Sequence, residues 1–312
     1  MQHTIILCPL YNDEASFNIF AAEIERQLGN NLETRFSFLV VNDGTNELHL
    51  RTNLPLTVVH LYRNIGHQKA IALGLAYAHH HLLFDHVVIM DCDGEDRPED
   101  IPRLLVTSAT KPGIVVAKRA SRQEPTSFKL FYSAYKLLFL ILTGKRISFG
   151  NFMILPKKEA DKIVHYSEIW NHLAGAIIKS RIPYLSVESH RGKRYEGRSK
   201  MNFTALLLHG LGAIGVFIDT IASRLLIFSL VMIAISVVAI IVIVFIKLFT
   251  TKAIPGWATA ALSSMLIVLL QSFLLSLFTI FLYLLFQGQR KFIPALHYMD
   301  YVRSVQNQEH GE

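Results

Sequence analysis

Residues 91–96, Asp-Cys-Asp-Gly-Glu-Asp, set four carboxylates within six positions, directly after the apolar run Val87-Val88-Ile89-Met90. A short β-branched run bounded by polar residues reads as a buried strand. Open α/β sheets bind their ligands at the carboxyl ends of such strands. Carboxylates this crowded repel one another unless a cation lies among them. Their all-oxygen donor set suits Mg²⁺ or Mn²⁺ carrying a phosphorylated ligand. The plainer alternative is an acidic turn that caps the following helix, and the rest of the chain decides between them.

Two further strand ends are polar. Residues 4–10 form an apolar run that ends in Pro9-Leu10-Tyr11-Asn12-Asp13, and residues 36–41 lead into Asn42-Asp43-Gly44-Thr45. A third run, 56–61, exits through Arg63-Asn64-Ile65-Gly66, and residues 113–117 run into Lys118-Arg119. Helical periodicity fills the intervals, from Asp13 through Leu28, over 67–81, and from Pro98 to Ser108. Alternation of this kind predicts a parallel, doubly wound sheet with right-handed crossovers. The polar strand ends then converge on one crevice. No Gly-x-Gly-x-x-Gly or Walker sequence follows these strands, so diphosphate must be neutralised by a metal and by basic side chains.

Downstream, residues 128–142 form an apolar run interrupted by Lys129 and Lys136, too short to span a membrane and read as an interfacial or core helix. Residues 147–155 read as a strand containing Gly150-Asn151, residues 157–166 and 168–179 as helices, and 184–189 as a last strand. The basic stretch 190–203 that follows is read as an anion-gripping loop, against the alternative of a solvated charge run. Three consecutive histidines, His79 to His81, point about 100° apart on a helix and are read as a solvated helix end, not a metal site.

The chain has 312 residues, 51% hydrophobic, and a net charge of +7 gathered at Lys118-Arg119, 191–200 and Arg290-Lys291. Two cysteines, Cys8 and Cys92, exclude a disulfide framework and fit a reducing compartment. The N-terminus lacks the basic and apolar regions of a signal peptide. Residues 225–249 and 258–286 are apolar enough for spanning helices, each exceeding the ~20 residues needed. Arg224 and Arg290-Lys291 on one side, against Lys247 and Lys252 on the other, place the N-terminal part and the tail in the cytoplasm of a multi-pass inner (plasma) membrane protein.

Taken together, these motifs resemble family-2 glycosyltransferases, which carry Pro-x-Tyr-Asn-Glu, Val-Asp-Asp-Gly-Ser, Arg-Asn-x-Gly-x-x-x-Ala and Asp-x-Asp in that order. The two long apolar runs and an Arg-x-x-Gly-x-Ser-Lys element (Arg194, Gly197, Ser199, Lys200) narrow the resemblance to polyprenyl-phosphate glycosyltransferases. That group includes dolichyl-phosphate mannose synthase and the undecaprenyl-phosphate sugar transferases.

The resemblance implies an α/β GT-A domain, Rossmann-like with a mostly parallel sheet, followed by two transmembrane helices. It divides the chain into a cytoplasmic catalytic domain (1–200), a juxtamembrane interfacial region (201–223), a helical hairpin (224–287) and a cytoplasmic tail (288–312). Its implied activity is metal-dependent, inverting transfer from a nucleotide-diphosphate sugar to a polyprenyl phosphate. Pro9, Tyr11, Asp13, Val41, Asp43 and Cys92 then bind the nucleotide-sugar with Asp91, while Asp91, Asp93 and Glu95 hold the Mg²⁺ or Mn²⁺. Arg119, Lys129, Ser133 and Arg194 meet the lipid phosphate, and Arg198 and Lys200 close over the diphosphate. Asp91, Asp93 and Arg119 are the catalytic candidates.

Four positions depart from the family pattern: Asp13 for glutamate, Asn42 for the first acid of Asp-Asp-Gly-Ser, Glu95 for glutamine, and Lys129 for arginine. The expected partners are the donor, the lipid and the membrane, with a second copy of the chain and a lipid-linked-sugar flippase also compatible, and no nucleic acid. Transfer to a glycolipid hydroxyl and a non-catalytic nucleotide-sugar-binding scaffold are the competing readings.

Overall fold

The central strands carry near-continuous buried runs because helices cover both faces of the sheet. In the computed structural model, residues 2–29, 34–46, 48–119, 126–196, 203–250 and 256–308 are described. The first part of the chain runs β1 (Gln2–Leu10), α1 (Glu14–Leu28), β2 (Thr34–Asn42), β3 (Leu56–Leu61), α2 (His67–His81), β4 (His86–Ile89), α3 (Ile101–Thr110) and β5 (Ile114–Arg119). It continues with α4 (Thr126–Thr143), β6 (Met153–Pro156), α5 (Lys157–Ile163), α6 (Leu173–Ser180), β7 (Tyr184–Ser189) and α7 (Phe203–Gly215). Two long helices, α8 (Ile218–Phe249) and α9 (Trp257–Gly288), precede α10 (Pro294–His297) and β8 (Val302–Gln308).

The strand order is β7-β5-β6-β4-β1-β2-β3-β8. Strands β1 to β4 pair in parallel. The period-2 alternation of side chains divides the core in two. Ile5, Leu7, Leu39, Val41, Val87 and Ile89 meet α2 on one face. Ile6, Cys8, Phe38, Val40, Val88 and Met90 face α1 and α3 on the other. There Phe17 and Phe20 of α1 stack edge-on against Phe38, with ring centroids 5.4 and 5.9 Å away. Each fully buried phenylalanine of this kind contributes about 1.5–3 kcal/mol. On the α2 face, Gly74 lets the helix lie directly on Leu7 and Val41; a methyl group there would overlap both side chains.

The sheet is mostly parallel, as expected, with β6 antiparallel to β4 and β5. Strand β6 covers only 153–156, not 147–155, because Gly150 and Asn151 precede it in an irregular approach. The segment expected as a tail returns instead to the sheet: β8 pairs antiparallel with β3, burying Val302. Of the three histidines expected at a solvated helix end, His80 and His81 are exposed as expected and also hold this return in place. His80 and His81 meet the Ala295 carbonyl and the Tyr298 hydroxyl, and His79 meets Asp161 at 2.6 Å. The chain also contains a Gly-x-Gly-x-x-Gly run, Gly210 to Gly215, but it lies inside α7 rather than at a strand exit. Two of its glycines serve packing, Gly210 against the Tyr135 ring and Gly212 against the Asn171 carbonyl.

The chain divides into two compact units: 1–136 with 146–216 and 291–312, and 137–145 with 217–290. The second is the α8–α9 hairpin. Each helix has 32 residues and is long and apolar enough to cross a membrane. Ser229 and Ser236 of α8 and Ser272, Ser276 and Thr279 of α9 are buried, while Ile227, Phe228, Phe273 and Phe278 point outward. Ser229 and Ser276 hydrogen-bond at 2.6 Å across the pair. Small and polar contacts inside, with large apolar side chains outside, suit helix association in lipid.

Candidate active site

Strand β4 ends at Ile89, and Met90 still donates its N–H to the Leu7 carbonyl at 3.2 Å. The chain then folds back on itself. Asp96 accepts from the Asp91 N–H at 3.1 Å, and Asp93 accepts from the Glu95 N–H at 2.9 Å. The turn needs Gly94, whose φ of +89° lies in the left-handed region that side chains avoid.

Burial and the charge of Asp93 push the Asp91 carboxyl up to about 7. Burial and the charge of Asp91 push Asp96 up to about 7, and burial raises Asp93. The cluster is thus short of positive charge at neutral pH. Asp91 Oδ1 is buried and has no hydrogen-bond partner, with His67 Nε2 3.2 Å away.

The cations that reach the loop come from the basic stretch and from the end of β5. Arg194 pairs with Asp93 at 2.5 Å, Arg191 pairs with Glu95, and Arg119 at the end of β5 lies 3.7 Å from both Glu95 and Asp96. The two loops also share backbone bonds, Gly192 N–H to the Glu95 carbonyl and Tyr195 N–H to the Asp93 carbonyl, both 2.9 Å. Asp91, Asp93, Glu95, Arg119 and Arg194 therefore sit together. Cys92 faces inward, and burial raises its thiol well out of the reactive range.

On the donor side, Pro9 and Val41 are register partners on β1 and β2. Tyr11 is 45% exposed beside them. Asp13 accepts from the Ser16 hydroxyl at 2.7 Å. Asp43 is already engaged: its carboxylate accepts the Ile65 and Gly66 amides at 2.7 and 2.9 Å and so joins the β2 exit to the β3 exit. Ser133 is exposed. The Lys129 side chain, and all of Gly197, Arg198, Ser199 and Lys200, lie outside the described residues.

Some site residues were not singled out by motif. Asp96, one of the four crowded carboxylates, belongs to no family motif, and Arg191 is one of many basic residues in its stretch. His67 is set by a chain of hydrogen bonds. The Leu173 N–H donates to Gln68 Oε1 at 2.8 Å, and Gln68 Nε2 donates to Asn151 Oδ1 at 2.9 Å. Asn151 Nδ2 then faces His67 Nε2 at 2.9 Å. Because the backbone N–H fixes every amide orientation, His67 Nε2 is an acceptor, turned toward the acidic loop. Next to Leu173, His172 caps α6 by accepting the Gly175 N–H at 3.0 Å, with His209 3.2 Å away.

Burial, followed by the charge of His209, depresses His172 to about 3. Since its folded pKa lies below the unfolded value, the unfolded chain binds the extra proton first, and stability falls as pH drops from about 6.5 toward 3. His172→Asn keeps a neutral capping acceptor. Its thermal midpoint in detergent is expected to fall less between pH 7 and pH 5 than that of the wild type; equal slopes would refute the role.

The sequence model for Glycosyl transferase family 2 matches residues 5–168. The uncharacterized glycosyltransferase YkcC of Bacillus subtilis is 24% identical over 271 residues, covering 83% of this chain and 81% of its own. The undecaprenyl-phosphate 4-deoxy-4-formamido-L-arabinose transferase of Pectobacterium atrosepticum is 28% identical over 158 residues, 47% of this chain and 46% of that protein. Among solved structures, glucosyl-3-phosphoglycerate synthase from Mycobacterium tuberculosis, in complex with Mn²⁺, UDP and phosphoglyceric acid, superposes with a TM-score of 0.51. At 12% identity, over 70% of this chain and 78% of that one, it shares the fold. With the family match spanning more than half its length and its sheet built as that fold requires, the chain belongs to glycosyl transferase family 2, a GT-A glycosyltransferase.

Proposed function

We propose that the protein transfers a sugar, with inversion, from a nucleotide-diphosphate sugar to a polyprenyl phosphate at the cytoplasmic face of a membrane. The observation that carries the reading is the acidic loop at the β4 end overlaid by arginines, in a chain with two helices of membrane-spanning length. The Pectobacterium relative, named for an undecaprenyl-phosphate acceptor, supports the lipid class, and the Mn²⁺- and UDP-bound synthase supports a metal-dependent nucleotide donor.

Among the described residues, no three His, Cys, Asp or Glu side chains converge as a metal set, and guanidinium groups face the carboxylates. The donor chemistry nonetheless fits a hard divalent cation: oxygens throughout, one of them buried without a partner. Asp91, Asp93 and Glu95 would hold it. When bound, the ion supplies charge neutralisation for the departing diphosphate.

The remaining work falls to the chain. Arg191 and Arg194, paired with the acidic loop, would meet the diphosphate, and exchanging carboxylate for diphosphate oxygens would keep their charge-assisted bonds intact. Arg119, with Ser133 and Lys129, would orient the acceptor. A phosphate monoester has its second pKa near about 6, so it attacks largely as the dianion and needs no general base. Catalysis then rests on positioning and electrostatics.

The test is a screen of UDP- and GDP-sugars against undecaprenyl phosphate with Mg²⁺ or Mn²⁺. The expected product is a lipid-linked sugar cleaved by mild acid, as a sugar phosphodiester is. An acid-stable product would instead identify a hydroxyl acceptor, and no transfer from any donor would overturn the reading.

A further inference from the structure

Asn42, the residue that replaces an acid of the family pattern, is buried at 1% exposure and uses all its polar capacity except one acceptor site. Its Nδ2 donates to the Thr45 carbonyl at 2.8 Å and lies 3.0 Å from His60 Nδ1, while its Oδ1 accepts the Thr45 N–H at 2.8 Å. The Thr45 backbone fixes the amide orientation, since the flipped amide would set oxygen against oxygen. Nδ2 has no lone pair, so His60 Nδ1 must accept, and the proton sits on Nε2. On β8, Ser304 is the register partner of His60, and Gln306 lines a cavity together with His60.

A relay therefore runs from the C-terminal strand, through its pairing with β3 at His60, to Asn42 and the Asn42–Thr45 turn. The turn is held at two other points, through Thr45 Oγ1 to the Asn12 N–H at 3.0 Å and through Asp43 to the β3 exit. Arg303 and Ser304 of β8 also line a cavity of about 230 Å³ together with Gly44, Thr45, Asn46, His60 and Tyr62.

We infer that this relay positions the donor-binding turn, which makes β8, contributed by residues beyond both long helices, a working part of the nucleotide-sugar site. The inference rests on the donor reading proposed above. It also explains the departure at position 42. A carboxylate there would turn its second oxygen against both the Thr45 carbonyl and the His60 lone pair, so with His60 in this tautomer the turn requires an amide. Gln306 is exposed, so its part is smaller than that of His60 or Asn42.

The experiment uses the full-length protein in detergent. Hydrogen exchange is followed over residues 42–46, and UDP and GDP are each titrated calorimetrically in Mn²⁺. Asn42→Asp and His60→Leu are expected to exchange at least about fivefold faster over 42–46, with β1 unchanged. Each should bind the preferred nucleotide about tenfold more weakly, a loss of about 1.4 kcal/mol. Gln306→Ala should move both readings in the same direction by less. His60→Gln, which retains an acceptor and a donor, should stay within about threefold of wild type, an outcome a purely structural role would not produce. Unchanged exchange in His60→Leu overturns the relay. Faster exchange with unchanged nucleotide affinity overturns its link to the donor. Wild-type protein that binds neither nucleotide overturns the donor reading, and the exchange data then still report on the relay by itself.

Discussion

Asp93→Ala is expected to lower kcat/KM for sugar transfer by at least about a thousandfold, the scale of removing a preorganised charge from a transferring centre. The loss has two sources. Asp93 is a donor for the proposed cation, and it is also the 2.5 Å partner that holds Arg194 over the crevice. The variant should nonetheless fold and insert normally. Burial raises Asp93, so its charge is a cost to the empty protein. Deleting one member of a mutually repelling carboxylate group relieves that cost. The thermal midpoint of Asp93→Ala without metal should therefore equal or exceed that of wild type, while the midpoint gain on adding Mn²⁺ should shrink. Measured together, transfer, membrane fractionation and melting separate a catalytic role from a folding one. Near-normal turnover in Asp93→Ala would sink the assignment of the acidic loop.

The second large effect concerns backbone, not charge. Gly192 is packed so closely on the acidic loop that a methyl group there would fall against the Gly94 carbonyl, closer than real Cβ contacts allow, and 3.2 Å from Arg97 Cγ. The Gly94 carbonyl cannot yield cheaply, because it is main chain in a turn that itself needs a positive φ. Gly192→Ala must separate the two loops and break the Gly192–Glu95 and Tyr195–Asp93 backbone bonds. Strain of about 1–3 kcal/mol is the usual scale for such a conflict. Transfer is expected to fall about 10- to 100-fold, and limited trypsin digestion should cut faster after Arg191, Lys193 or Arg194. Gly150→Ala is the control, since nothing lies within 4 Å of where its Cβ would be. Equal tryptic rates and equal turnover in Gly192→Ala and Gly150→Ala would show that the two loops do not depend on their close packing.

Both predictions begin in residues that were legible without coordinates, though their partners were not. The acidic loop, the Asn42–Thr45 turn and the Arg63–Gly66 exit all follow apolar runs whose periodicity marks them as strands. Parallel pairing of β1 to β4 then brings their ends to one edge. Helices α1 and α2 were legible for the same reason: the spacing of Phe17, Phe20 and Ile24, and of Ala70, Leu73 and Ala78, is a local property of the chain. Strand β3 and helix α2 have the bounds that periodicity assigns.

What stayed hidden is non-local. Arg194 and Asp93 are 101 positions apart, and Arg191 and Glu95 are 96 apart, so nothing in either stretch names its partner. The sequence 302–308, Val-Arg-Ser-Val-Gln-Asn-Gln, is too polar to announce a strand. It becomes one because the open edge of β3 offers unpaired backbone groups and because His80 and His81 anchor the return segment ahead of it. Asn42 illustrates both sides. As sequence it was a missing acid. In the structure its amide is the group that the Thr45 carbonyl and the His60 nitrogen together demand. Local periodicity and composition determined the sheet, the acidic loop and the two long helices. Tertiary packing decided which cations cover the carboxylates and which strand closes the donor edge, because those contacts exist only once distant segments share a surface.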